Sequence, residues 1–201
     1  MDFSIVTEAT GTPVTREALS MMYTRYRLAA EYCENKDVLK VACGSGQGLG
    51  YLATKVGRVV GGDCTEKLLR VASRHYHGRM PLVRLDAQML PFKDQSFDVV
   101  ILYEAIYYLV RPDQFLAESR RVLRDQGTIL ISTVNKEWSD FNPSPLSARY
   151  FSAQELGELL KSQGFNAELY GAFPVCGESI KDRTLSLLKR AAVQLHLIPK
   201  T

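Results

Sequence analysis

Apolar and polar positions along this chain switch repeatedly between two periods. From Thr15 to Cys33 the residues Leu19, Met22, Tyr23, Tyr26, Ala30 and Cys33 recur at helical spacing. That stripe predicts a helix, and Pro13 and Thr15 suit its start. Val38–Ala42 (VLKVA) is a short β-rich run ending in glycines, and the chain from Gln47 to about Val56 reads as a helix. Arg58–Gly62 is a second strand, after which Thr65 caps a helix with Leu68, Leu69, Ala72 and Tyr76 on one face. Leu82–Leu85 is a third strand. Phe97–Leu102 is a fourth, apolar almost without a break, as expected for a strand covered on both faces. Pro112 opens a helix to Leu123, and Gly127–Thr133 is a fifth strand. Ser152–Glu155 is a capping box that opens a helix stopping near Gly164. Asn166–Phe173 reads as a sixth strand, and the tail from Ser179 to Leu197 as a helix.

Strands alternating with helices imply right-handed βαβ units. The expected fold is α/β, a three-layer sandwich with a Rossmann-like, mostly parallel sheet. It is expected as one domain over residues 1–201, with a helical cap at 12–34, a core at 37–174 and a C-terminal helix at 178–198. Ligands of such sheets bind at the C-terminal strand ends, near the switch in strand order.

Composition narrows the classes. The 201 residues suit one domain with a sizeable core. A net charge of +3 is too small a bias to argue for nucleic acid or a membrane surface. No recognition module for nucleic acid is visible, and Arg70, Arg74, Arg79 and Arg84 read as a solvated surface. No run of 18 apolar residues offers a membrane span, and the acidic MDFSIVTEATG start is unlike a signal peptide. Cys33, Cys43, Cys64 and Cys176 form no CxxC pair and have no histidine at ligand spacing, so no metal site is expected. Their apolar settings suggest reduced thiols and a cytoplasmic location.

The first strand is followed by Ala42-Cys43-Gly44-Ser45-Gly46-Gln47-Gly48-Leu49-Gly50. Glycines let a backbone turn sharply and approach a ligand closely. The spacing misses both the dinucleotide fingerprint GxGxxG and the phosphate loop GxxxxGK[ST]. Alone, it is equally a tight turn. Asp63 ends the second strand, 19 positions after Gly44, where an acid accepts hydrogen bonds from a ribose diol. That acid serves a nicotinamide cofactor and S-adenosylmethionine alike. Asp86, just past the third strand, stands where a carboxylate can accept from an adenine amino group, with Ala87 and Gln88 beside it.

These segments together resemble the class I S-adenosylmethionine (SAM)-dependent methyltransferases of the type 11 group. The resemblance rests on Val38–Ala53, Gly62-Asp63, Leu85-Asp86-Ala87, Leu90-Pro-Phe and Phe97–Val100. Tyr103–Leu109 and the run FLAESRRVLRDQGTILIST extend it, so that it covers roughly Thr15 to Phe173. It implies a cofactor, SAM, with S-adenosylhomocysteine as product. Ala42, Cys43, Gly44 and Gly46 would lie against its methionine part, and Asp63 would take the ribose hydroxyls. Cys64 would sit beside the adenine, with Asp86 and Ala87 at its edge. Tyr103 and Glu104 would close over the cofactor, and Tyr26 or Arg27 would reach its carboxylate.

Two features depart from that pattern. The family usually has an acid where this chain has Lys40. At about 5 Å and an effective dielectric near 20, two like unit charges repel by roughly 3 kcal/mol. Weakened SAM binding, compensation by an acid such as Glu104, and a non-catalytic relative are the open consequences; the first two are preferred. The family also ends with an antiparallel strand between the fifth and sixth. No strand-like run follows Phe173 here, so that last strand is expected to be missing, the chain being cut short of it. The sheet edge so exposed would invite a homo-oligomer.

The expected activity is methyl transfer to a small-molecule acceptor, a saccharide or another metabolite. The alternative is a SAM-fold binding or regulatory partner without catalysis. Glu104, Tyr107 and Tyr108 are the candidates to touch the acceptor, with packing and cofactor cover as their competing role. His75 and His77 fall away from the expected methyl group. The loop from Asn135 to Pro145, with Trp138 and Phe141, could wall an acceptor pocket.

Overall fold

The computed structural model describes residues 3–5, 13–138 and 141–172. Helix α1 (Arg16–Cys33) begins at Thr15, whose side chain accepts the Ala18 N–H at 3.1 Å. Then come β1 (Asp37–Val41), α2 (Leu49–Ala53), β2 (Arg58–Asp63), α3 (Glu66–His75) and β3 (Leu82–Arg84). They are followed by β4 (Phe97–Tyr103), a 3-10 turn (Ile106–Tyr108), α4 (Pro112–Val122), β5 (Leu123–Ser132) and α5 (Ala153–Ser162).

All five strands are parallel, in the order β3-β2-β1-β4-β5. Two successive crossovers run outward from β1 to β3. The chain then returns to place β4 on the other side of β1. The order therefore reverses between β1 and β4, whose registers pair Val38 with Val99 and Val41 with Leu102.

Strand alternation sorts the core into two layers. Leu39 and Val41 of β1, with Val100 and Leu102 of β4, face Phe115, Leu116 and Val122 of α4 and Leu156 and Leu160 of α5. Val38, Val99 and Ile101 face the other way, against Tyr26, Ala29 and Cys33 of α1 and Leu49 and Leu52 of α2. This is the three-layer α/β sandwich expected from the sequence. Side-chain volume fixes how closely β2 is covered: a Cβ on Gly62 would stand 2.2 Å from Leu85 Cδ2.

At the far ends of the strands an ion-pair group ties four of them together. Asp37 pairs with Arg58 at 3.1 Å and with Arg124 at 2.8 Å, and Arg124 reaches Asp98 at 2.7 Å. Arg121 of α4 donates to the Leu90 and Phe92 carbonyls and pairs with Glu118 and Asp94, fixing the loop before β4.

Several expectations need correction. Residues 166–172 form no strand; Leu169 and Tyr170 there are exposed, so the alternation of this segment has no layer to bury it. Phe173, the tail helix and the question of a last strand lie outside the described residues. Helix α2, of 5 residues, is about half as long as the pattern suggested, because Gly48 is left-handed at φ 79° and Thr54 closes the turn. Thr65 precedes α3 without a side-chain cap; its hydroxyl instead accepts the Phe3 N–H at 3.3 Å. Leu19 and Tyr23 are exposed, and the buried face of α1 runs through Tyr26, Ala29 and Cys33. Ser152 does cap α5, and its capping box with Glu155 is complete.

Candidate active site

The site is built where the strand order reverses. Two non-glycine residues are left-handed there: Ala42 after β1, at φ 51°, and Glu104 after β4, at φ 50°. An L-residue in that region costs about 1–2 kcal/mol. Such strain persists where the surroundings over-determine it, commonly at functional sites.

Between Ala42 and Gly50 the loop is clamped at four points. Cys43 N–H donates to the Gly62 carbonyl at 2.9 Å, which ties the loop to β2. Asp63 Oδ2 accepts the Gly44 N–H at 2.8 Å, and its Oδ1 accepts the Thr65 N–H at 2.8 Å. Tyr26 donates its hydroxyl to the Gln47 carbonyl at 2.8 Å. Tyr76 donates to the Gly46 carbonyl at 2.7 Å and accepts the Gly50 N–H at 3.0 Å. Gly48 is required by this packing. Its φ is 79°, and a Cβ there would lie 2.1 Å from Tyr26 Cζ.

Lys40 lies under this loop. It is 2% exposed, and its Nζ donates to the Val41 carbonyl at 2.9 Å and the Ala42 carbonyl at 3.2 Å. The same ammonium is 5.5 Å from the centre of the Tyr103 ring. Burial pulls the lysine down to about 8, partly opposed by Cys43 and Asp63. The Cys43 thiol is pushed up to about 12, chiefly by burial.

Glu104 does not pair with Lys40. Its Oε1 accepts Arg25 Nη1 at 2.6 Å and Ser132 Oγ at 2.8 Å. Its own N–H donates to the Ser132 carbonyl at 2.8 Å, and Tyr103 donates its hydroxyl to the Arg25 carbonyl at 3.2 Å. The strand end is thereby joined to α1. The hydrogen-bond partners of Lys40 are the backbone carbonyls, while Glu104 acts on it only through space, without an ion pair.

On the β2–β3 side, Cys64 is half-buried beside Thr65 and Ala87 is buried. Asp86 is exposed, and its Oδ1 accepts the Gln88 N–H at 2.8 Å. Gln88 in turn accepts the Arg111 N–H at 2.7 Å. Ala42, Cys43, Gly44, Gly46, Asp63, Tyr26, Tyr103 and Glu104 are therefore gathered at the ends of β1, β2 and β4. Arg27 is exposed on another face of α1.

Tyr107 and Tyr108 belong to an aromatic group. Tyr107 is stacked on Tyr150 at 4.6 Å, and Phe141 meets Tyr150 edge-on at 4.7 Å. The Tyr108 hydroxyl is 2.9 Å from Ser144 Oγ. Burial, with Glu104 nearby, pushes the Tyr107 phenol upward, so it stays protonated. His75 is the last residue of α3 and meets the C-cap residue Tyr76 edge-on at 4.7 Å.

Reasoning from sequence missed Arg25, Ser132 and Tyr76 as site residues. For Arg25 a signal existed. It stands three residues after Met22 and four before Ala29, on the buried side of α1. Ser132 had none, because its place is fixed by β5 pairing with β4.

The polar set fits the nucleoside half of the implied cofactor. Asp63 is 6% exposed, and each of its oxygens retains a lone pair after accepting one N–H. Asp86 offers a second carboxylate, and Ala87 an apolar wall. The methionine half carries Lys40 where the family has an acid.

The family described as "Methyltransferase domain" matches residues 39–131. A probable SAM-dependent methyltransferase of Mycolicibacterium smegmatis is 36% identical over 152 residues, 71% of this chain and 57% of that one. The phthiotriol/phenolphthiotriol dimycocerosates methyltransferase 1 of Mycobacterium ulcerans is 35% identical over 142 residues, 65% of this chain and 52% of that one. The fold is shared with a SAM-dependent methyltransferase from Aquifex aeolicus at a TM-score of 0.64 and 24% identity, covering 75% of this chain and 83% of that chain. The chain thus spans about half the length of the curated relatives it matches. Among the described residues no helix is long and apolar enough to cross a membrane.

Proposed function

This chain belongs to the class I SAM-dependent methyltransferases, and from that premise we propose that it transfers the methyl group of SAM to a small-molecule acceptor. The observation that carries this reading is the clamped glycine loop, with Asp63 holding Gly44 beneath the strand-order switch. Asp63 takes the ribose diol, Asp86 and Ala87 meet the adenine, and Ala42 to Gly46 follow the methionine part. When bound, the sulfonium supplies an electrophilic methyl group and a good leaving group.

What the chain contributes is position and the exclusion of water. Glu104, held by Arg25 and Ser132, fixes the wall of the site at the end of β4. Glu104 is held by Arg25 at 2.6 Å and by Ser132 at 2.8 Å, and burial keeps the Tyr107 phenol protonated. Both therefore orient an acceptor rather than remove its proton. The Tyr107, Tyr108, Phe141 and Tyr150 group offers aromatic surface suited to an acceptor of mainly apolar character. The phthiotriol-type acceptor named for the Mycobacterium ulcerans relative agrees with that choice.

Lys40 supports a second reading, a SAM-fold binding partner without turnover. Calorimetry and thermal shift with SAM, S-adenosylhomocysteine and NAD separate the cases. Binding of both sulfur nucleosides, lost in Asp63→Ala, supports the cofactor site. Stabilisation by NAD alone overturns it. Product formed from labelled SAM with phthiotriol-type and sugar acceptors then decides between transfer and mere binding.

A further inference from the structure

SAM and S-adenosylhomocysteine share every polar group. They differ by one methyl and by one positive charge at sulfur. A fixed cation inside the site therefore acts on the difference between them and cancels from everything they share. This chain has two cations at the methionine end. Lys40 is buried in β1, on the sheet face that α1 and α2 cover, and Arg25 reaches in from α1.

The carboxylates around this end of the site already hold protein groups. Glu104 Oε1 holds Arg25 and Ser132, and the Asp63 oxygens hold the Gly44 and Thr65 amides. The Val41 and Ala42 carbonyls, at the end of β1, hold Lys40 itself. Lys40 and Arg25 thus offset the Asp63 and Glu104 carboxylates, and these four groups leave no net negative charge to meet a sulfonium.

We propose that Lys40 is a specificity-determining residue that makes the site discriminate by charge at sulfur, favouring the neutral product S-adenosylhomocysteine over SAM. The inference rests on the cofactor site proposed above. Its consequence is a chain restrained by its own product to a degree set by one buried ammonium. The interaction is little screened, because the charge is buried rather than solvated.

The charged and titratable groups facing Lys40 are Arg25 from α1, Cys43 from the loop, Asp63 from β2, and Tyr103 and Glu104 from the end of β4. Burial pushes the Cys43 thiol up to about 12 and the Tyr103 phenol upward as well. Lys40 itself is drawn down to about 8. Raising the pH through that value neutralises it and should remove the discrimination.

The test is calorimetry of SAM and S-adenosylhomocysteine on the full chain at pH 6.5 and 9, with Lys40→Met alongside. The expected result is a Kd ratio, SAM over S-adenosylhomocysteine, that falls by about tenfold from the lower to the higher pH. In Lys40→Met the ratio should be low and flat. If that variant does not fold, the pH series on the unaltered chain decides alone. Both ligands binding with a ratio that ignores pH overturns this inference and leaves the cofactor site standing. Neither ligand binding at either pH overturns both.

Discussion

Arg25 and Glu104, 79 positions apart in the chain, meet at 2.6 Å and fasten α1 to the end of β4. The pair is neither surface nor core: its side chains keep 21% and 32% of their exposure. Glu104 also holds a left-handed backbone at φ 50°. The ion pair therefore helps keep a strained strand end in place. Arg25→Ala should destabilise the fold by about 1–2 kcal/mol, above an exposed pair and below a buried one. A double-mutant cycle with Glu104→Ala, read by urea unfolding, should show coupling of about 1 kcal/mol. Additive losses would mean that the two side chains act independently.

Asp63 is the residue on which the loop depends most. Replacing it with alanine strips the acceptor from two amides, those of Gly44 and Thr65. Buried N–H groups left without partners cost about 1–3 kcal/mol each. Asp63→Ala should therefore lose about 2–6 kcal/mol in denaturant melts and all measurable SAM binding. Full retention of both stability and binding would contradict the role given to this carboxylate.

Ala42 carries its strain for lack of a glycine. With φ at 51°, the left-handed backbone disfavours its Cβ. Ala42→Gly removes that penalty of about 1–2 kcal/mol but adds about 0.4–1 kcal/mol of freedom to the unfolded chain. The net expectation is stabilisation by about 0.5–1 kcal/mol, seen as a small rise in Tm. A fall in Tm would show that the Ala42 methyl makes packing contacts worth more than the strain.

Which parts of this arrangement were legible in the sequence follows from the range of the forces involved. The strands announced themselves because β1 and β4 are buried on both faces and so read as apolar runs. The loop announced itself by its glycines, and Asp63 by its place at a strand end. The segment 166–172 misled because alternation of apolar and polar residues says nothing of whether a partner layer exists. The pairing of Glu104 with Arg25 rather than Lys40 was equally hidden. It depends on which side of α1 turns inward and on where β5 places Ser132, and both are set by tertiary packing.

Lys40 gives the last prediction, and its sign follows from linkage. The lysine is drawn from 10.5 to about 8 in the folded chain because burial disfavours its charge. In the unfolded chain it keeps its ordinary affinity for a proton. Between those two values the unfolded state binds more protons, so stability rises with pH across the interval. Below about 8 the whole penalty is present; the gap of about 2.5 units corresponds to about 3 kcal/mol. Lys40→Met should therefore stabilise the fold at pH 7, by less than that amount, because the Val41 and Ala42 carbonyls lose a donor. Its advantage should shrink as the pH approaches 10.5, the ordinary value for a lysine. Lys40→Glu is expected to tighten SAM by supplying a counter-charge, yet to weaken the ligand-free fold, since a buried carboxylate would then face those same two carbonyls. Urea melts at pH 7 and 10 on the three proteins check both statements. A Lys40→Met variant no more stable than the parent at pH 7 would show that the ammonium's bonds to the loop outweigh its burial.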